Sequence, residues 1–282
     1  MENTVNFDAI SFGKRVKSML KVDFKRMFKS KLFYILIACS LLVPIVMTVM
    51  LSMMDGTESK NPQTGEITIM EGPESVWESI GTLPSNEPQA TGVEGADAMS
   101  TMGGMDVMAM CNINMAFMGV CVFVCLFISD DFRSGYAKNL FTVRSKKEDY
   151  VISKTVAGFV CGALMLIAYF VGAILGGAIS SLSFDLQGLT VGNLVMCMLA
   201  KIFLMLVFVS IFTLISVAAK QKAWLSICGS LGGGMLLFMM VGMITPLGST
   251  FVHVALCLAG GTMFAFGLGA ISRVILQKTS LV

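Results

Sequence analysis

Long apolar stretches dominate this chain, and its charged residues gather between them. Six runs are free or nearly free of charge: residues 32–54, 107–129, 155–184, 192–219, 223–245 and 251–272. Lys201 alone interrupts the fourth, and Pro246 ends the fifth. Each run can supply the roughly 20 helical residues that cross a hydrocarbon core about 30 Å thick. Residues 11–31 follow another pattern. There Phe12, Val16, Met19, Leu20, Phe24, Met27 and Phe28 recur mostly every three or four positions, with Lys14, Arg15, Lys17, Lys21, Lys25, Arg26 and Lys29 mostly between them. This predicts an amphipathic helix in the headgroup plane, its apolar side toward the acyl chains. It is too long and too charged for the n-region of a signal peptide, so the chain is expected to keep its N-terminus.

The distribution of lysine and arginine orients the spans. Eight precede the first span, six (Arg133, Lys138, Arg144, Lys146, Lys147, Lys154) lie between spans two and three, and Lys220 and Lys222 separate spans four and five. Arg273 and Lys278 follow the last span. The connection 55–106 holds ten acidic residues and one lysine, Lys60. Both termini are therefore expected in the cytoplasm and the acidic loop outside. The predicted fold is all-α and polytopic: a cytoplasmic interfacial helix at 1–31, then a six-span transmembrane domain at 32–282. An extracellular loop at 55–106 and a cytoplasmic coupling loop at 130–154 complete it.

Composition supports the same class. Of 282 residues, 55% are hydrophobic and 13% charged, with a mean hydropathy of +0.80. Soluble domains carry about 25% charged residues, so a cytosolic enzyme, a secreted domain and a nucleic-acid binder are excluded as the main reading. The net charge of +2 says little, because the charges are segregated. One histidine, His253, leaves zinc hydrolysis and Ser–His–Asp chemistry without their residues. All eight cysteines fall in apolar stretches and read as small buried hydrophobes. No phosphate loop exists: at Gly13-Lys14, Arg15 replaces the magnesium-binding Ser or Thr and Asp8 the first glycine. Any ATP hydrolysis must come from another chain.

The segment 129–154 reads SDDFRSGYAKNLFTVRSKKEDYVISK. Acids and an arginine meet the exit of span two, Gly135 permits a sharp turn, and a short amphipathic stretch leads to Arg144 and a basic cluster. Asp131, Gly135, Lys138, Asn139, Leu140, Arg144 and Lys154 match the layout of the cytoplasmic loop in type-2 ABC transporter permeases, which nearly the whole chain resembles. Its basic helix before span one, its six spans and its internal termini fit the six-span membrane subunit of an ABC exporter. The resemblance implies a pair of such subunits, a homodimer or a pair with a paralogue, above two separate ABC ATPase subunits. ATP and Mg would bind those ATPases, with no cofactor on this chain. It also implies that Asp131, Arg133, Gly135, Lys138, Asn139, Leu140, Arg144 and Lys147 couple to the ATPase, beside Lys21, Lys25, Arg26 and Phe28 of the interfacial helix. One departure is the long outer loop between spans one and two, since many relatives place theirs between spans five and six.

Several features have competing readings. Lys201 either lines a substrate pathway or snorkels to a headgroup. Asn112 and Asn114 either face an aqueous path or a partner helix. The pairs Gly158/Gly162, Gly172/Gly176 and Gly229/Gly233 bring helices close within a subunit or, for Gly229–Gly234, along a dimer seam. The 24 methionines, including Met99, Met102, Met105, Met108, Met110 and Met115, read as adaptable packing or a greasy substrate surface rather than a copper site. Trp77, in the amphipathic piece 74–80, either rests on the membrane or caps the spans. Glu66, Glu71, Glu74 and Glu78 make the outer rim acidic, attractive to cationic peptides. The expected function is outward movement of an amphipathic substrate, a membrane-active peptide or lipid-like compound, through a bacterial plasma membrane. Alternatives are polysaccharide, sodium or drug efflux, or a non-ABC membrane scaffold. A membrane-embedded enzyme and an ion-coupled carrier fit less well, for want of paired intramembrane acids and of inverted repeats.

Overall fold

The computed structural model describes residues 11–54, 58–60, 67–69, 75–80, 112–143, 147–186 and 188–278. Its helices are α1 (Phe12–Lys29), α2 (Lys31–Met54), α3 (Met115–Arg133), α4 (Tyr136–Val143), α5 (Glu148–Ile179), α6 (Val191–Ala219), α7 (Ala223–Ile244) and α8 (Phe251–Lys278). Six of them, α2, α3 and α5–α8, are long and apolar enough to cross a membrane. The expected all-α architecture, with an N-terminal helix and six spans, is the architecture observed.

The predicted limits shift where polar residues find local partners. Residues 107–111 of the predicted second span lie outside the described ones, and helix α3 starts at Met115. Just before it, the Asn112 side-chain oxygen accepts from the Asn114 N–H at 3.0 Å. Such a side-chain turn competes with helix, which delays its start. Span three starts at Glu148 instead of 155 and stops at Ile179 instead of 184. At about 1.5 Å per residue its 32 residues reach about 48 Å, well beyond the hydrocarbon thickness. The surplus includes the charged first turns. Span six likewise continues past 272 to Lys278, and the interfacial helix stops at Lys29, where Ser30 turns extended. Segment 130–154 is mostly helix, built from the end of α3, α4 and the start of α5.

Packing centres on α3 and α6. Phe117, Val120, Phe123, Val124 and Ile128 of α3 are buried with Met205, Phe208 and Phe212 of α6. Phe117 and Phe208 stand 4.7 Å apart, ring centre to ring centre. By contrast α2, α7 and α8 present large apolar side chains outward, such as Met50, Leu236, Met243 and Phe266. That belt suits lipid or a partner helix rather than water. On α1 the buried stripe is Met19, Asp23 and Met27, four residues apart, whereas Phe12, Val22 and Phe28 are exposed.

Between α2 and α3 the described pieces are a two-stranded antiparallel hairpin and a turn of 3-10 helix. Strand β1 (Glu58–Lys60) pairs with β2 (Ile67–Ile69), Glu58 opposite Ile69. In the 3-10 turn Val76–Ser79, Trp77 is only 7% exposed and donates from Nε1 to the Phe184 carbonyl at 3.1 Å. The Val76 N–H donates to Ser183 O at 3.2 Å, and the Ile113 N–H to Ser79 O at 2.7 Å. Trp77 thus caps the connection between α5 and α6. It does not lie on the bundle's outer surface.

Glycine faces set the closest approaches. A Cβ on Gly172 would overlap the Leu41 carbonyl oxygen and stand 2.7 Å from Pro44 Cγ, so α5 and α2 meet backbone to backbone. Gly158 and Gly162 admit Val209, Val124 and Met205 in the same way. Gly229, Gly233 and Gly234 face Ile215 and Phe212 of α6 within the subunit. Gly172→Ala is expected to lower the thermal unfolding midpoint of the purified chain, at an overpacking cost of about 1–3 kcal/mol. Gly267→Ala, where an added Cβ meets nothing within 4 Å, should leave it unchanged or raise it slightly, since alanine favours helix. Equal effects at both sites would contradict a helix contact set by glycine.

Candidate functional site

The end of α3 carries two successive acids with opposite fates. Neighbouring helical residues point about 100° apart, so Asp130 faces outward while Asp131 turns into the bundle and is fully buried. A buried carboxylate requires compensating charge. Asp131 obtains it from two elements: Lys154 Nζ of α5 lies 2.7 Å from Oδ2, and Arg26 Nη2 of α1 lies 2.6 Å from Oδ1. The Tyr150 hydroxyl also donates to Oδ2 at 3.0 Å.

A second buried carboxylate completes the cluster. Lys154 Nζ donates to Asp23 Oδ1 at 2.8 Å, and the Ser153 hydroxyl donates to Oδ2. Arg26 Nη1 lies 3.9 Å from Asp23. Two acids and two cations therefore neutralise one another where α1, α3 and α5 meet. Aromatic faces enclose the cations: Phe127 lies 3.9 Å from Lys154 Nζ, and Tyr136 lies 4.3 Å from the Arg26 guanidinium. Burial pulls the Arg26 pKa down, but the charge and hydrogen bond of Asp131, then the charge of Asp23, raise it further, so it stays protonated. Burial and then the Asp23 charge push the Tyr136 phenol up, keeping it neutral.

Outer contacts reinforce this joint. Arg15 Nε pairs with Asp149 Oδ2 at 3.0 Å and ties α1 to the first turn of α5. Arg273 pairs with Glu148 at 2.8 Å, and Lys147 Nζ donates to the Leu276 carbonyl at 2.7 Å, tying in α8. Glu148 and Asp149 also sit where the helix dipole of α5 favours negative charge.

From this base projects α4. Gly135, at φ +74°, makes the turn out of α3 in a conformation that L side chains rarely adopt. Ala137 is buried, and Phe141 meets Tyr150 edge-on at 5.3 Å, so one face of α4 rests on α5. Lys138, Asn139 and Thr142 form the exposed face.

The residues singled out from the sequence thus separate. Asp131 and Arg26 lie within the ionic joint, and Leu140 is half-buried against the core. Arg133, Lys138, Asn139, Lys21, Lys25 and Phe28 are exposed, and Lys147 is held by Leu276. Arg144, Glu66, Glu71 and Glu74 lie outside the described residues, and Glu78 is described only by its backbone. Sequence reasoning missed Asp23 and Ser153 as members of the joint. The available signal was that Asp23 is the lone acid in a strongly basic helix.

A separate polar centre lies near the loop end of the bundle. Lys201 is fully buried, and its Nζ donates to Asn114 Oδ1 at 2.9 Å and to Thr245 Oγ1 at 3.0 Å. Thr245 in turn donates to the Val241 carbonyl, and Cys197 Sγ donates to Thr245 O. Lys201 therefore joins α6 to the start of α3 and the end of α7, instead of reaching the helix surface. Among the described residues no carboxylate pairs with it.

Lys154→Met would leave two buried carboxylates facing one cation. Removing one partner of a buried ion cluster costs about 3–5 kcal/mol, so a large drop in the thermal midpoint is expected. Combining it with Asp23→Asn restores charge balance and should recover part of the loss. Additive losses in the double variant would show that the two side chains do not act as a pair.

A family model described as ABC-2 family transporter protein matches residues 75–237, more than half of the chain. No curated protein and no solved structure matches. The matched region runs from the Trp77 turn through the α3–α5 joint and α6 into α7, and so includes both polar centres except for α1 and Thr245. The chain is a multi-pass membrane protein of the ABC-2 transporter family.

Proposed function

We propose that this chain is the permease subunit of an ATP-driven exporter and that α4 is its contact with the ATPase. The observation that carries this reading is the exposed face of Lys138, Asn139 and Thr142, mounted on a helix whose other face is fixed to α5. A docking element must be both accessible and stiff, since a flexible one would absorb the displacement it should transmit. Lys21 and Lys25 of α1 add basic side chains on the helix joined to α3 and α5 through Asp23, Arg26, Asp131 and Lys154. A push on α4 or α1 then reaches the spans through the ionic joint.

In this reading the basic end, with both termini, faces the cytoplasm. Two ATPase subunits, which bind ATP and Mg, serve a pair of permeases in a bacterial plasma membrane. The cargo is amphipathic, a membrane-active peptide or lipid-like compound, and moves outward. The acidic outer loop, ten acids to one lysine, gives the exit side a negative surface.

The test is co-expression of the tagged chain with an ABC ATPase from its own genome. The chain alone should show no ATP turnover, and the co-purified complex should. Lys138→Glu combined with Asn139→Asp should reduce co-purified ATPase about tenfold, as expected where a charged contact is reversed. Its thermal midpoint should match that of the unmodified chain. Unchanged co-purification would leave α4 as a topological feature, and ATP turnover by the chain alone would overturn the assignment.

A further inference from the structure

A small pocket opens at the basic end, between the first turns of α2 and α7 and the last turns of α3. Its volume is about 220 Å³, and Ser30, Leu32, Phe123, Phe127, Ser129, Asp130, Arg133 and Gln221 are among its lining residues. Pockets for drug-sized ligands run from about 300 to 1,000 Å³, so this one suits a headgroup and the start of a chain.

Its two ends differ chemically. One wall is apolar and aromatic, with Phe123 and Phe127 stacked at 5.3 Å and an interplanar angle of 16°. The rim carries one charge of each sign: Asp130 and Arg133, both exposed, with Oδ1 and Nη2 3.5 Å apart. They form a loose, exposed ion pair one helical turn apart, and each keeps further hydrogen-bonding positions for a partner of its own. Within the lining, Ser129 is 3% exposed, and its hydroxyl has no hydrogen-bond partner among the described residues. Buried hydroxyls are normally satisfied, and one lining a pocket calls for a partner from outside the chain. Gln221 is held in place by donating to the Phe132 carbonyl at 3.4 Å.

We infer that this pocket binds the headgroup of a zwitterionic lipid, with its ammonium at Asp130, its phosphate at Arg133 and Ser129, and its chain leaving over Phe127, Leu126 and Leu32. A phosphate alone would meet the repulsion of Asp130, and a cationic peptide that of Arg133. A headgroup carrying both charges satisfies both residues. The primary ammonium of an ethanolamine headgroup can also donate hydrogen bonds to Asp130, which a quaternary amine cannot. The inference deepens the lipid-like reading of the cargo and rests on the proposed function only for placing this end in the inner leaflet.

The experiment measures binding without any ATPase, so its outcome is independent of whether the chain exports. The purified full chain is exchanged into defined mixtures of phosphatidylethanolamine, phosphatidylcholine and phosphatidylglycerol, and retained lipid is counted by native mass spectrometry. Phosphatidylethanolamine should be retained over phosphatidylglycerol by about tenfold, the effect of one charge-assisted hydrogen bond. Asp130→Asn should remove that preference, and Ser129→Ala should weaken retention of both lipids, at unchanged thermal midpoints. Equal retention of the three lipids, or a preference untouched by Asp130→Asn, would overturn the proposal. Displacement of bound phosphatidylethanolamine by a cationic amphipathic peptide at stoichiometric concentration would assign the pocket to peptide instead.

Discussion

Three charges that cannot reach water, and the half-buried arginine that balances them, fix the base of this protein. Asp23, Asp131 and Lys154 are fully buried, and each is tolerable only in the presence of the others and of Arg26. In an apolar surrounding an unpaired carboxylate costs several kcal/mol, so α1, α3 and α5 have one arrangement in which the cluster balances. The same condition orients α4, because Tyr136 of that helix covers Arg26 while Phe141 meets the Tyr150 that donates to Asp131. Stability is not the main yield of such a cluster, since apolar replacements are often as stable. What it supplies is a unique register between an amphipathic helix and two spans that uniform apolar surfaces would let slide.

The two polar centres stand at opposite ends of the same core. Between them α3 and α6 are joined by closely packed aromatic and aliphatic side chains, among them Phe117 against Phe208. At the far end Lys201 draws α3, α6 and α7 together through Asn114 and Thr245. In the exporter proposed above, a rigid core gripped near each end by polar contacts would carry displacement across the bilayer thickness.

The spans were readable because a run of uncharged residues is itself the physical requirement for crossing a bilayer. Their limits were not, because a charged residue marks a loop unless a partner from another helix neutralises it. Asp149, Lys154 and Arg273 all lie within helices, neutralised by Arg15, Asp23, Asp131 and Glu148. The candidate site was legible in part. Asp131, Gly135 and Arg26 stood out by residue type, yet the role of Asp131 in the joint depends on partners from α1 and α5. Ser153 and Lys154 reach Asp23 across 130 and 131 positions. No local period reports such a pairing. The same holds for Thr245, the last residue of an apolar run, which becomes notable only beside Lys201.

Ser30 is the only residue between α1 and α2, extended at φ −75° and ψ 125°, and its N–H is bound back to Met27 O. The fastening of α1 is to α5 and α3, through Asp23, Arg26 and Arg15. Load applied to α1 therefore leaves the order of the sequence. In the proposed exporter it would pass to helices joined by electrostatics. Its covalent neighbour α2 meets α1 through Tyr34 on the Phe28 carbonyl and an edge-on pair of Phe28 and Phe33, besides the glycine face it shares with α5. In such an exporter the ionic contacts would be the drive shaft, and the short connection at Ser30 only a hinge pin.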